Sequence, residues 1–213
     1  MKLLSVVPFI TLALSSPLDP RQLIVGSTAT EFTDSGCRDV ILLFARGSTE
    51  IGNMGTVCGP DTANGLKRRL GAGRIAVEGI EYAALLSTNF LPGGADPAGI
   101  REMKRLIGRA VTQCPNSQIV VGGYSQGAAL THRAVEDLAQ AQKDRIVAAF
   151  TFGDTQNQQD NGQIPNFPRD KTLVICNRGD AVCSGTLTIL PAHLTYGSRA
   201  DEAVDFIASK IRL

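Results

Sequence analysis

Apolar runs of two kinds alternate along the chain. DVILLFARG (39–47), RIAVEGI (74–80), SQIVVGGY (117–124), RIVAAFTFG (145–153) and KTLVICN (171–177) are short, nearly continuous in hydrophobes, rich in β-branched residues and bounded by turn formers, which predicts strands. Between them, 61–72, 97–114, 126–142 and 200–213 carry apolar residues at helical spacing and predict amphipathic helices. Strands without polar alternation that take turns with helices imply a parallel sheet covered on both faces. No internal repeat or low-complexity linker divides the chain, so residues 31–213 form one domain on this pattern.

The N-terminus departs from that alternation. Lys2 precedes the apolar stretch LLSVVPFITLAL, which is too short to span a bilayer, and small residues follow it. Residues 1–16 therefore read as a signal peptide and 17–30 as a pro-segment or flexible N-terminal tail. The expectation is a secreted, extracellular protein, with no transmembrane segment and acting as a monomer. A formal net charge of +1 and the lack of a long basic run give no argument for a nucleic-acid partner.

Export turns the five cysteines into a question about disulfides. Cys176 and Cys183 are spaced to close a small loop, and Cys37 and Cys114 stand just before apolar runs, where a bond would tie distant parts of the core. Five cysteines also allow other pairings. Cys58 is the residue left over, read as a free, buried thiol. With no C-x-x-C pair and no His/Cys cluster, neither a metal site nor a cofactor is expected.

The chemistry centres on GYSQG within IVVGGYSQGAAL (119–130). A G-x-S-x-G turn between a strand and a helix exposes its serine at the sheet edge, here Ser125. A serine hydroxyl needs a neighbouring base and a carboxylate to orient that base. Of two histidines, His132 lies about two helical turns beyond Ser125, beyond easy reach, which leaves His193 in LTILPAHLTYG. Asp154 and Asp180 compete for the acid. Asp180 is favoured because it lies between Cys176 and Cys183 and gives the chain order Ser, Asp, His; Asp154 reads as a turn residue bonding its own backbone. The backbone N–H of Gln126 supplies one oxyanion donor, and the glycine-rich FARGSTEIGNMG (44–55), with Ser48, supplies a second.

Taken together, CRDVILLFARGSTEIGNMG, GGYSQGAAL and CNRGDAVCSGTLTILPAH resemble the three signature segments of the fungal cutinases, secreted serine esterases with a lidless α/β-hydrolase-like fold. The resemblance runs from about Cys37 to the C-terminus. It implies a three-layer α/β/α sandwich around a mainly parallel five-stranded sheet, with Ser125 as nucleophile, Asp180 as acid and His193 as base. It also implies Ser48 and Gln126 in the oxyanion hole, Asn89 supporting Ser48, and Cys37–Cys114 and Cys176–Cys183 bonds. Two features depart from the family: Cys58, unpaired here, and Asp154, where many members have tyrosine.

Substrate preference rests on two apolar segments that the resemblance puts on either side of the nucleophile. One carries Leu85, Leu86, Phe90 and Leu91; the other carries Leu187, Ile189 and Leu190. Leu86, Leu187 and Ile189 are the candidate substrate contacts, on a rim suited to cutin or other aliphatic polyesters, lipid esters and adsorption at their surfaces. A carbohydrate deacetylase of the acetylxylan esterase type is the second reading, and a non-catalytic secreted lipid- or surface-binding protein the third.

Overall fold

The computed structural model describes residues 24–213. Its elements are α1 (Glu31–Ser35), β1 (Val40–Ala45), α2 (Gly59–Leu70), β2 (Ile75–Gly79), α3 (Pro97–Gln113), β3 (Gln118–Tyr124), α4 (Gln126–Glu136), α5 (Gln140–Lys143), β4 (Ile146–Phe152), β5 (Thr172–Ile175) and α6 (Ala200–Lys210). The strands form one sheet in the order β2-β1-β3-β4-β5, and every neighbouring pair is parallel. The sheet is therefore wholly parallel, where the sequence expectation was mainly parallel.

Alternate residues of the strands feed two separate cores, as a period of two requires. Ile41, Leu43, Ile119 and Val121 pack with Met103, Leu106 and Ile107 of α3 and with Leu130 and Val135 of α4. Val40, Leu42, Phe44, Val120 and Phe150 pack on the opposite face with Leu66 of α2 and Val204 and Ile207 of α6. Burying each Leu, Ile or Phe contributes roughly 1.5–3 kcal/mol. Both faces being dry explains why the strand sequences lack polar alternation.

This topology fixes where chemistry belongs. After β1 the chain crosses one face through α2 to β2, and after β3 it crosses the other face through α4 to β4. The β1 and β3 carboxyl ends, side by side in the sheet, thus send their loops apart and open a crevice, where open α/β sheets bind ligands. The loop bearing Ser48 leaves β1, and Ser125 follows β3.

Two local expectations need correction. Residues 24–30, given from the sequence to the tail 17–30, are part of the fold. Asn64 exchanges two hydrogen bonds with the Val25 backbone and Asn53 two with Ala29, Thr30 bridges Glu78, and Gly79 N–H donates to Ala29 O. This segment covers the free edge of β2, whose backbone groups would otherwise lack partners. The helix expected over 126–142 breaks after Glu136, since Ala139 is extended (ψ 146°) and starts α5 anew. Leu138 is buried across the break, which preserved the apolar spacing. The signal segment 1–16 lies outside the described residues.

Disulfides join Cys37 to Cys114 and Cys176 to Cys183. The first ties the approach to β1 to the end of α3, and the second closes the loop that carries Asp180. Cys58 is free and buried at the start of α2, and burial raises its thiol pKa well above the ordinary value. No helix among the described residues is long and apolar enough to cross a membrane.

Candidate active site

Ser125 holds a strained backbone conformation, φ 56° and ψ −118°, between the end of β3 and the first residue of α4. The flanking glycines make that turn possible. A Cβ at Gly123 would collide with the Gly127 carbonyl, and one at Gly127 with the Ala45 carbonyl at the end of β1. The G-x-S-x-G pattern is thus a steric requirement here: strand, turn and helix approach too closely for side chains. The result places Ser125 Oγ at the crevice and leaves the first N–H groups of α4, Gln126 among them, without intrahelical partners.

His193 Nε2 lies 3.0 Å from Ser125 Oγ, and its Nδ1 lies 2.8 Å from Asp180 Oδ2. All three residues are buried. Asp180 Oδ1 accepts the Val182 N–H at 3.0 Å, and Tyr196 Oη donates to Oδ2 at 2.6 Å. The histidine loop is held in turn. Tyr124 Oη donates to the His193 carbonyl, Asn177 Nδ2 to Ala192 O, and the Asn177 N–H to Tyr196 Oη. Gly153 clears the space beneath the imidazole, since a Cβ there would press on His193 Cε1 and the Tyr196 ring.

Across the crevice, Ser48 Oγ accepts from Asn89 Nδ2 at 2.8 Å and from Gln126 Nε2 at 3.0 Å. A hydroxyl oxygen has two lone pairs and one proton. With both lone pairs engaged, the Ser48 proton is left to point into the cavity as a donor. The same amide groups pin the neighbouring 3-10 turn, through Gln126 Nε2 to Leu85 O and Asn89 Nδ2 to Leu86 O. Beneath Ser48, the Glu50 carboxylate accepts the N–H groups of Gly47, Thr56 and Val57 at 2.7–2.9 Å, which folds the loop around one charge.

The structure therefore brings together Ser125, His193, Asp180, Ser48, Gln126 and Asn89. His132 and Asp154 stand apart, bonded to each other. Asp154 does bond its own turn through Gln156 N–H, as a turn residue should, yet it is wholly buried. Tyr196, Tyr124 and Glu50 were missed from the sequence; a lone carboxylate in a glycine-rich loop was the available signal for Glu50. A cavity of about 220 Å³ opens at Ser125, with Leu86, Phe90, Leu187, Ile189 and Leu194 in its walls. Its rim is exposed: Leu86 keeps 60%, Phe90 76%, Leu187 43% and Ile189 50% of its surface. Among the described residues no cluster of His, Cys, Asp or Glu would hold a metal ion.

The chain is also similar to known proteins. The family model described as Cutinase matches residues 36–211. The cutinase CUT2 of Pyricularia oryzae is 57% identical over 194 residues, covering 91% of this chain and 90% of that one. A Trichoderma reesei cutinase solved in complex with a phosphonate inhibitor superposes with a TM-score of 0.79 at 35% identity, over 88% of this chain and 81% of that one. An acetylxylan esterase structure shares the fold at 20% identity and a TM-score of 0.65, over 83% of this chain and 100% of that one. On the family match and the identity to its relatives, the chain belongs to the cutinase family.

Proposed function

We propose that this cutinase-family serine ester hydrolase is a secreted enzyme that cleaves aliphatic polyesters of the cutin type and short- to medium-chain esters through Ser125, His193 and Asp180. The observation that carries this reading is the continuous chain Asp180 Oδ2, His193, Ser125 Oγ, at 2.8 and 3.0 Å, opening onto an apolar cavity.

In the first half-reaction Ser125 Oγ attacks the ester carbonyl carbon while His193 Nε2 takes the hydroxyl proton. The carbonyl oxygen becomes an oxyanion between the Gln126 N–H and the Ser48 hydroxyl, both in place before substrate arrives. Collapse breaks the bond to the alcohol oxygen, which receives the proton from His193, and leaves an acyl-Ser125. In the second half, His193 takes a proton from water, whose oxygen attacks the acyl carbon. The acid departs and Ser125 regains its proton. Asp180 holds Nδ1–H, so that Nε2 faces the nucleophile.

The apolar walls suit an alkyl chain better than a hydrated sugar, which sets the polyester reading above the deacetylase. The complete Ser125, His193 and Asp180 arrangement likewise argues against a non-catalytic lipid binder. The two disulfides and the signal-like residues 1–16 support export. The exposed Leu86, Phe90 and Ile189 support adsorption at a solid or lipid surface. Hydrolysis of a p-nitrophenyl ester series from acetate to palmitate tests the reading, with turnover expected to peak at the short- to medium-chain members. Turnover of acetate alone would favour the deacetylase instead.

A further inference from the structure

The chain has two histidines, and their surroundings make opposite demands on them. His193 meets one carboxylate and one hydroxyl, so a neutral ring fits, with Nδ1 protonated and Nε2 free to accept. His132, on α4, has carboxylate oxygens at both nitrogens: Asp154 Oδ2 at 2.8 Å from Nε2 and Asp160 Oδ2 at 2.7 Å from Nδ1. A neutral imidazole has one N–H and one lone pair, so it would turn that lone pair toward a carboxylate at hydrogen-bond distance. Only the imidazolium satisfies both contacts.

The charged groups around it come from three elements. On α4, Arg133 pairs with Asp160 and with Glu136. At the end of β4 stands Asp154, whose Oδ2 also accepts from Thr151 Oγ1. The loop after β4 contributes Asp160, and its Gln156 N–H donates to Asp154 Oδ1. Burial disfavours the charged ring, yet the charges and hydrogen bonds of Asp154 and Asp160 outweigh it and raise the His132 pKa to about 9.

The cluster clips a loop that reaches the active site. Within residues 154–162, Thr155 lines the cavity with Oγ1 3.5 Å from the Ser125 carbonyl oxygen. Asn157 Nδ2 donates to Cys183 O at 2.9 Å, in the disulfide loop that carries Asp180. We propose that His132, Asp154 and Asp160 form a latch that holds this loop against α4 while the ring is protonated and releases it in alkali. When the proton leaves, the remaining N–H stays on Nε2, because Asp154 is wholly buried. Asp160 lets go first, since it keeps Arg133 and is partly exposed.

Proton linkage ties the latch to stability. A histidine whose folded pKa is raised contributes stability that is complete below the unfolded value of about 6.5, and it is lost here as pH rises through about 9. The chain's three tyrosines, Tyr82, Tyr124 and Tyr196, do not compete in that window, because burial pushes all three far up. The effect on turnover rests on the esterase reading, whereas the effect on stability does not.

The test is an NMR titration of the whole protein labelled with ¹⁵N-histidine, from pH 5 to 11, beside its melting temperature and its kcat/KM on a soluble butyrate ester. One ring should keep both nitrogens protonated at pH 8 and release a proton near 9. Over the same interval the melting temperature should fall by roughly 5 °C and kcat/KM should decline. Asp160→Asn should move all three transitions down by about one pH unit, and His132→Gln should remove them. A His132 ring that is neutral at pH 7.5, or alkaline transitions unmoved in Asp160→Asn, would overturn the latch. Butyrate turnover at pH 7 with no such titration would leave the esterase standing without it; the titration without turnover would do the reverse.

Discussion

Tyr196 Oη donates to the Asp180 oxygen that also faces His193 Nδ1, at 2.6 and 2.8 Å. The phenol is wholly buried, accepts the Asn177 N–H and packs edge-on to the imidazole. It spreads the charge of Asp180 and fixes the direction of Oδ2. Tyr196→Phe keeps the ring and removes the donor, so Asp180 loses the contact that aims Oδ2 at the imidazole. With that aim loosened, kcat at pH 7 should fall about tenfold with KM little changed. An unchanged kcat would reduce Tyr196 to packing.

Ser48 is held by two amides so that its own proton faces the cavity. Ser48→Ala should lower kcat on a butyrate ester by about 10²- to 10³-fold with KM nearly constant, the signature of an interaction made in the transition state. Asn89→Ala should cost less, because Gln126 Nε2 still engages Ser48 Oγ. Equal losses for the two variants would contradict this division of labour.

Gly127 and Gly26 offer a paired test of the elbow. A Cβ at Gly127 would collide with the Ala45 and Arg46 carbonyls, whereas one at Gly26 meets nothing within 4 Å. Gly127→Ala should destabilise by about 3 kcal/mol or more, or prevent folding, while Gly26→Ala should stay within about 0.5 kcal/mol. Urea denaturation followed by circular dichroism measures both.

The disulfides should separate stability from activity. Cys37–Cys114 spans 77 residues, and by chain entropy its removal as a double serine variant should cost about 4 kcal/mol. Cys176–Cys183 spans only 7 residues but frames Asp180, so its removal should cost less stability, about 2 kcal/mol, and more turnover. Similar activity in the two double variants would show that the short loop is held by its hydrogen bonds alone.

The strands were legible because both faces of the sheet are dry: Val40 to Phe44 could pack in no other way. Ser125 was legible because backbone crowding forces glycine on both sides of it. The edge cover by residues 24–30 was not, since its partners are the side chains of Asn53 and Asn64, far along the chain. The same holds for Tyr196, whose partner Asp180 lies 16 residues away in the chain. Asp154 reads from the sequence as a turn residue and His132 only as a histidine beyond easy reach of Ser125. What joined them was the placement of α4 beside the end of β4, a tertiary fact that no local pattern carries.

Every step of the proposed turnover runs through an acyl bond on Ser125. The most direct measurement compares wild type with Ser125→Ala for turnover of p-nitrophenyl butyrate and, by mass spectrometry, for covalent capture of an alkyl phosphonate ester. Wild type should hydrolyse the ester and gain one phosphonyl group on Ser125, while Ser125→Ala, folded to the same circular dichroism spectrum, should show neither. Hydrolysis surviving in Ser125→Ala, or label found on another residue, would contradict the account.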